Sequence, residues 1–131
     1  MSITDNETYI TSITETIDSH LEAYALADVD RRNALVAANW NVEGQLTDPP
    51  LAGRGHNEIS GLADVVVTHY ADHHFERTTV VDSHHNFARY GWDLVAADGT
   101  VAVSGSDFVQ FDDEGKLLRI IGFFGPLEAR P

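Results

Sequence analysis

The chain has 131 residues, with 8 Lys plus Arg against 21 Asp plus Glu, a formal net charge of −13 and no cysteine. That length suits one domain, expected to span residues 1–131, and the missing cysteines exclude disulfides, thiolate metal sites and cysteine nucleophiles. The acidic balance argues against nucleic acid and anionic membranes as partners, no apolar run approaches the roughly 18 residues of a membrane span, and the first 20 residues lack a secretory pattern, so a cytoplasmic location is the default expectation.

Thr4 followed by Glu7 matches a capping box. After it, Ile10, Ile13, Ile17, Leu21 and Tyr24 recur at steps of three or four, so the spacing predicts a first helix over about residues 5–26, with His20 beside the apolar stripe. Asp28 or Asp30 can cap a second helix carrying Leu35 and Val36 towards Trp40. A short strand is expected at about 43–48, ended by Pro49-Pro50. Gly53 and Gly55 then break the chain before a third helix whose face is Ile59, Leu62, Ala63, Val66 and Tyr70. Beyond it the period changes from helical to alternating, with extended segments near 75–83, 86–96, 100–111 and 117–124. Asp98-Gly99 is a hairpin signal and Asp112-Asp113-Glu114-Gly115 marks another turn. Helices followed by an antiparallel meander read as α+β, with three N-terminal helices packed on one face of a curved sheet.

Two carboxylates fall on faces that alternation assigns to the core. In GQLTDPP, if Leu46 points inward then so does Asp48, and Pro49 holds Asp48 in extended geometry; the competing reading is a solvated turn residue. In 100–111, Val101, Val103, Gly105, Asp107, Val109 and Phe111 share the more apolar face. Asp107 is thus a pocket carboxyl or a structural one satisfied by donors. A two-residue turn at Asp98-Gly99 sets Tyr90 opposite Asp107 and Trp92 opposite Gly105, joining two apolar faces, whereas a three-residue turn sets Arg89 opposite Asp107. A one-residue slip reverses every side chain, and hydrophobic consistency favours the first register.

The motifs AYALADVDRR, LTDP, GRGHNEI, HHNFARYGWDL, GSDFVQFDDEGKL and GFFGPL, in this order over nearly the whole chain, resemble the nuclear transport factor 2-like superfamily, and within it the SnoaL-like branch. The resemblance implies a cone-shaped, cystatin-like α+β fold with a pocket at its wide end. It also implies proton-transfer chemistry of the isomerase, cyclase or dehydratase type on a small apolar carbonyl compound, without a cofactor. By comparison with the ketosteroid isomerases of that superfamily, Asp48 falls on the catalytic base, Asp107 on a protonated oxyanion donor and Phe124 on a pocket aromatic. The chain departs from them at their helix-one tyrosine, whose place falls near His20 or Glu22 with Tyr24 close by, and at their supporting tyrosine, which falls on Ala63. The candidate catalytic residues are therefore Asp48 and Asp107. The candidate substrate-binding residues are His20, Tyr24, Tyr90, Trp92 and Phe124, with Tyr90 able to replace the missing tyrosine from the sheet.

His69 and His73 have the i,i+4 spacing of metal ligands, but histidines closing a helix also suit its dipole, and no metal site is expected. His84 and His85 fall in a motif common in the SnoaL-like branch, and that resemblance implies that one of them reaches the pocket rim; consecutive strand residues point to opposite faces, so both cannot. No serine stands in a Gly-x-Ser-x-Gly elbow, and GRG at 53–55 lacks a phosphate-loop pattern. Two other readings stand beside the enzymatic one: a ligand-binding protein without turnover, and an interaction module. In the interaction module the open sheet face dimerises, and the resemblance implies a homodimer through that face, with Arg77, Arg89, Asp93 and Phe108 as its candidates.

Overall fold

A computed structural model describes residues 3–131, with side chains from residue 6 onward. Helix α1 runs Ile3–Ala23, so Thr4 lies within its first turn; the expected capping contact at Thr4 falls outside the described side chains. Helix α1 buries Ile13, Ile17, His20 and Leu21, and Tyr24 follows in a turn closed by its N–H donating to the Leu21 carbonyl. Helix α2, Val29–Asn39, is capped by Asp28, whose side chain accepts from the Arg31 N–H. It buries Arg32, whose guanidinium donates to the Leu26 carbonyl and to Asp64 of the third helix. A buried cation is tolerated here because a carbonyl and a carboxylate both receive it.

Strand β1, Trp40–Thr47, starts directly at the end of α2, three residues earlier than the sequence pattern suggests, because Trp40 is already extended and packs its indole in the core. Strand β2, Ala52–Arg54, folds back on it, and α3, Gly55–His69, packs against both. The expected single strand at 75–83 is two, β3 His74–Arg77 and β4 Asp82–His84, and both pair with β5, Phe87–Val95. Strands β6, Val101–Phe111, and β7, Leu117–Phe124, complete the sheet.

The strand order is β2-β1-β7-β6-β5-β3, with β4 off this path on β5. The sheet is curved and mixed. Every pair is antiparallel except β1 with β7, which run parallel, so the expectation of a wholly antiparallel sheet is corrected at that one seam. The physical reason is topological: β1 and β7 come from opposite ends of the chain, so no hairpin fixes their relative direction.

The β5–β6 register pairs Tyr90 with Asp107 and Trp92 with Gly105. This is the pairing that joins the two apolar faces, but a two-residue turn does not produce it. The Ala96 N–H donates to the Thr100 carbonyl around a three-residue turn ending in Gly99, and a bulge between Leu94 and Val95 restores the register. Arg89 meets Asp82 on the outer side. Gly105 is required by close approach: a Cβ there would collide with the Trp92 indole and the Phe123 carbonyl. Trp92 therefore lies flat across its neighbouring strand and reaches Asp107 two residues further on. Among the described residues, no helix is long and apolar enough to cross a membrane.

Candidate functional site

Three residues on adjacent strands build the site. Asp107 on β6 pairs with Gly122 on β7, and Asp48 follows Thr47, which pairs with Ile121 of β7. The two carboxyl residues thus flank Gly122. A Cβ at position 122 would stand 3.0 Å from Asp107 Oδ1 and 3.0 Å from the Asp48 Cβ, so those two atoms lie within twice that distance of each other. A larger residue at 122 would fill the gap that lets both side chains use one face.

Asp107 is buried, and both of its oxygens accept hydrogen bonds. The Tyr90 hydroxyl donates to Oδ2 at 2.7 Å and the Trp92 Nε1–H to Oδ1 at 3.0 Å. Burial pushes its pKa up to about 6, against the two donors, and the charge of Asp48 raises it further. The sign follows from linkage. The folded chain holds a proton on Asp107 that the unfolded chain releases, so this group favours folding more as pH falls from about 6 towards the ordinary carboxylate range, and opposes it above.

Asp48 lies at the mouth. Its Oδ1 accepts from the Leu51 N–H at 2.9 Å, closing the turn that carries Pro49-Pro50, while the Asp48 N–H donates to the Leu51 carbonyl at 2.9 Å. Both readings of GQLTDPP hold in part, since one oxygen serves the turn and the residue still borders the interior. Partial burial raises the Asp48 pKa, opposed by the Leu51 hydrogen bond. The two carboxyls are therefore unequal in depth and in partners.

Tyr24 is 7% exposed and its hydroxyl has no hydrogen-bond partner. Burial, then the charges of Asp107 and Asp48, hold it protonated far above the usual phenol range. A buried hydroxyl without a partner costs about 1–3 kcal/mol; this one borders the cavity, where a water or a ligand can receive it. His20, one helical turn earlier, accepts from the Trp40 indole N–H at Nδ1, 3.3 Å away, which leaves its own proton on Nε2. Burial lowers its pKa to about 3, so the ring is neutral.

His20, Tyr24, Asp48, Trp92, Asp107 and Phe124 all line one cavity of about 120 Å³. Tyr90 stands behind Asp107, outside the lining, as its hydrogen-bond donor. Glu22 is exposed and takes no part. Phe75 and Tyr70 also line the cavity and were missed by sequence reasoning; Phe75 lies in a four-residue strand too short to show alternation, and Tyr70 sits just past the end of α3.

The histidines lie elsewhere. His84 and His85 are both exposed and neither reaches the cavity; His84 borders a groove on the outer sheet face, and His85 takes a positive φ of 51° in the turn after β4. The expectation that one of them stands at the pocket rim is therefore corrected. The rings of His69 and His73 turn their Nδ1 atoms to the carbonyls of Val65 and Ala71. Among the described residues, no three His, Asp or Glu side chains converge as a metal site would require.

No protein-family model and no curated protein sequence matches the chain. Its structure does match solved ones. A SnoaL-like family protein from Agrobacterium tumefaciens strain C58, provisionally assigned as an isomerase, superposes with a TM-score of 0.83 at 27% identity, covering 88% of this chain and 99% of that one. A SnoaL-like protein from Jannaschia sp. CCS1, provisionally assigned as a polyketide cyclase, gives 0.71 at 12% identity over 87% and 85%. An NTF2-like protein of unknown function from Exiguobacterium sp. 255-15 gives 0.67 at 16% over 86% and 99%.

The unpartnered hydroxyl gives a prediction that separates folding from function. Tyr24→Phe is expected to leave the chain equally or more stable, by up to about 1–2 kcal/mol in urea denaturation, while weakening any ligand that uses the hydroxyl. A loss of stability of that size would show that Tyr24 is a structural donor instead.

Proposed function

We propose that this chain, whose fold is that of the nuclear transport factor 2-like superfamily with SnoaL-like proteins among its neighbours, catalyses proton transfer on a small carbonyl compound. The observation that carries the reading is the Tyr24 hydroxyl, buried without a partner beside two carboxyls of unequal depth. In the proposed step, ionised Asp48 takes the proton from the carbon next to the carbonyl. The C–H electron pair becomes the new C=C bond, and the carbonyl π pair moves to oxygen. Tyr24 and protonated Asp107 donate hydrogen bonds to that oxygen, and Asp48 returns the proton to carbon. General-base action of this kind contributes roughly 10²–10⁴-fold, and each oxyanion donor about 2.7–4 kcal/mol.

Trp92 and Tyr90 act behind Asp107, holding its carboxyl in place. The compact cavity suits a small substrate, since drug-sized ligands occupy about 300–1,000 Å³ and this one offers about 120 Å³. Steroid isomerisation is not the proposed reaction. Besides the small cavity, the place of the superfamily's supporting tyrosine is taken by Ala63, which is fully buried in the core.

A substrate-independent test is hydrogen–deuterium exchange at the α-carbon of small ketones, followed by NMR in D2O. Exchange is expected to rise with pH as Asp48 ionises, and to fall as pH climbs through about 6, where Asp107 loses the proton it donates. Asp48→Asn should lower the rate by about 10²–10⁴-fold without unfolding the chain. Unchanged exchange in that variant removes Asp48 from the mechanism, and a rate that instead rises through pH 6 to a plateau makes Asp107 the base.

A second reading concerns the outer face of the sheet, where Phe87, Phe108, Ile121 and Phe123 are exposed together around a groove that also takes in Arg89 and Arg119. A second copy covering this face would remove that apolar surface from water. Of the residues expected there, Phe108 and Arg89 border the groove, Asp93 bonds Ser104, and Arg77 is turned instead towards Asp18 on α1. Light scattering at micromolar concentration should give twice the 14.4 kDa of the chain, and a monomer mass for Phe108→Glu. A monomer mass for the unaltered chain overturns the dimer.

A further inference from the structure

The cavity between Asp48 and Asp107 holds no positive charge of its own. None of the 8 Lys and Arg residues lines it, and its imidazole, His20, is neutral. Two carboxyls in apolar surroundings without a counter-charge form a costly arrangement, relieved only by protonation or by a cation brought from outside. The rest of the wall suits the second solution. Tyr24, Phe75, Trp92 and Phe124 stand edge to face in a continuous row, with successive ring centroids 5.6, 5.2 and 5.7 Å apart. Such walls attract organic cations through the negative faces of the rings, and they do so best where water is excluded.

Size and hydrogen bonding narrow the class. A cavity of about 150 Å³ holds benzene, so about 120 Å³ admits something slightly smaller. The Tyr24 oxygen is buried and unpartnered, with free acceptor capacity for an N–H. Asp107 has already received a tyrosine hydroxyl and an indole N–H, and above about pH 6 it stands between these donors as an anion. An incoming anion, whether a keto acid or a phosphate, meets two carboxylates and no cation.

We propose that this cavity binds a compact organic ammonium ion of about the size of trimethylammonium, its charge held beside the carboxylates, its N–H directed at one of them or at the Tyr24 oxygen, and its alkyl groups against the aromatic row. The inference concerns binding and does not rest on proton transfer.

The experiment uses three probes of different charge: trimethylammonium chloride, tert-butanol of nearly the same size, and the bulkier sodium pivalate. Each is titrated into the full chain at pH 7.5 and constant ionic strength, followed by calorimetry and by tryptophan fluorescence. The ammonium ion is expected to bind at least about tenfold more tightly than tert-butanol, with pivalate weakest of the three. In Asp107→Asn the preference for the cation should shrink to about threefold or less. Equal or weaker binding of the cation than of tert-butanol overturns the proposal, as does a cation preference unchanged in both Asp107→Asn and Asp48→Asn. Should Asp107→Asn fail to fold, the charge series on the unaltered chain and the Asp48→Asn comparison decide it. No catalytic turnover enters any of these readouts, so the proton-transfer reading can fail while this one stands.

Discussion

The structure depends on one rung of the sheet, in which Gly122 on β7 separates Asp107 on β6 from Asp48 at the end of β1. Sheet geometry turns every second side chain inward, so the pairings that seat Val109 and Ile120 in the core also bring Asp107 and Gly122 to the same face. A register slip by one residue would expose the core strand and release the carboxyl together. The site is therefore secured by the same hydrophobic pairing that secures the fold. The glycine supplies the remaining condition, a gap where two side chains can approach.

Opposing forces set the chemistry of Asp107. Removal from water favours its neutral form, whereas donors from Tyr90 and Trp92 favour its charged form, and desolvation is the larger of the two. Asp48 has one backbone donor and more access to water, so it feels the same forces more weakly. The proposed division into an acid and a base rests on a pair of carboxyls whose environments differ in this way. The buried hydroxyl of Tyr24 adds an unspent hydrogen bond to the space between them. Folding alone gives no reason to keep it there, because a phenylalanine would fill the same volume.

Much of this was legible before the structure. The alternation of Val103, Gly105, Asp107, Val109 and Phe111 placed the carboxyl on the apolar face, and hydrophobic consistency favoured the register that brings Tyr90 and Trp92 beside it. The device that sets this register was not legible: the turn at Asp98-Gly99 closes Ala96 on Thr100, and a bulge between Leu94 and Val95 shifts the pairing by one. Helix spacing found Ile13, Ile17, Leu21 and Ile59 as core. The parallel seam between β1 and β7 was not legible, because it joins segments about 70 residues apart with no turn between them. Nor was the split into β3 and β4, which follows where the Thr79 hydroxyl, in place of a backbone carbonyl, accepts the Gly91 N–H and ends the ladder. His84 and His85 misled because a turn with positive φ ends the alternation just where the pair stands. The lone hydroxyl of Tyr24 could not be seen at all: helical periodicity shows that a tyrosine faces inward, but only three-dimensional packing shows what its oxygen lacks.

The central claim is that the two carboxyls titrate apart. The most direct measurement is a carbon-13 carboxyl NMR titration of the unliganded protein, with Asp48→Asn and Asp107→Asn to assign the resonances. The account predicts a midpoint near 6 for Asp107 and a lower one, still above the ordinary carboxylate value, for Asp48. Coincident midpoints near about 3.9 would contradict it, because two solvated or purely structural carboxylates could neither share out acid and base roles nor mark a pocket that waits for a ligand.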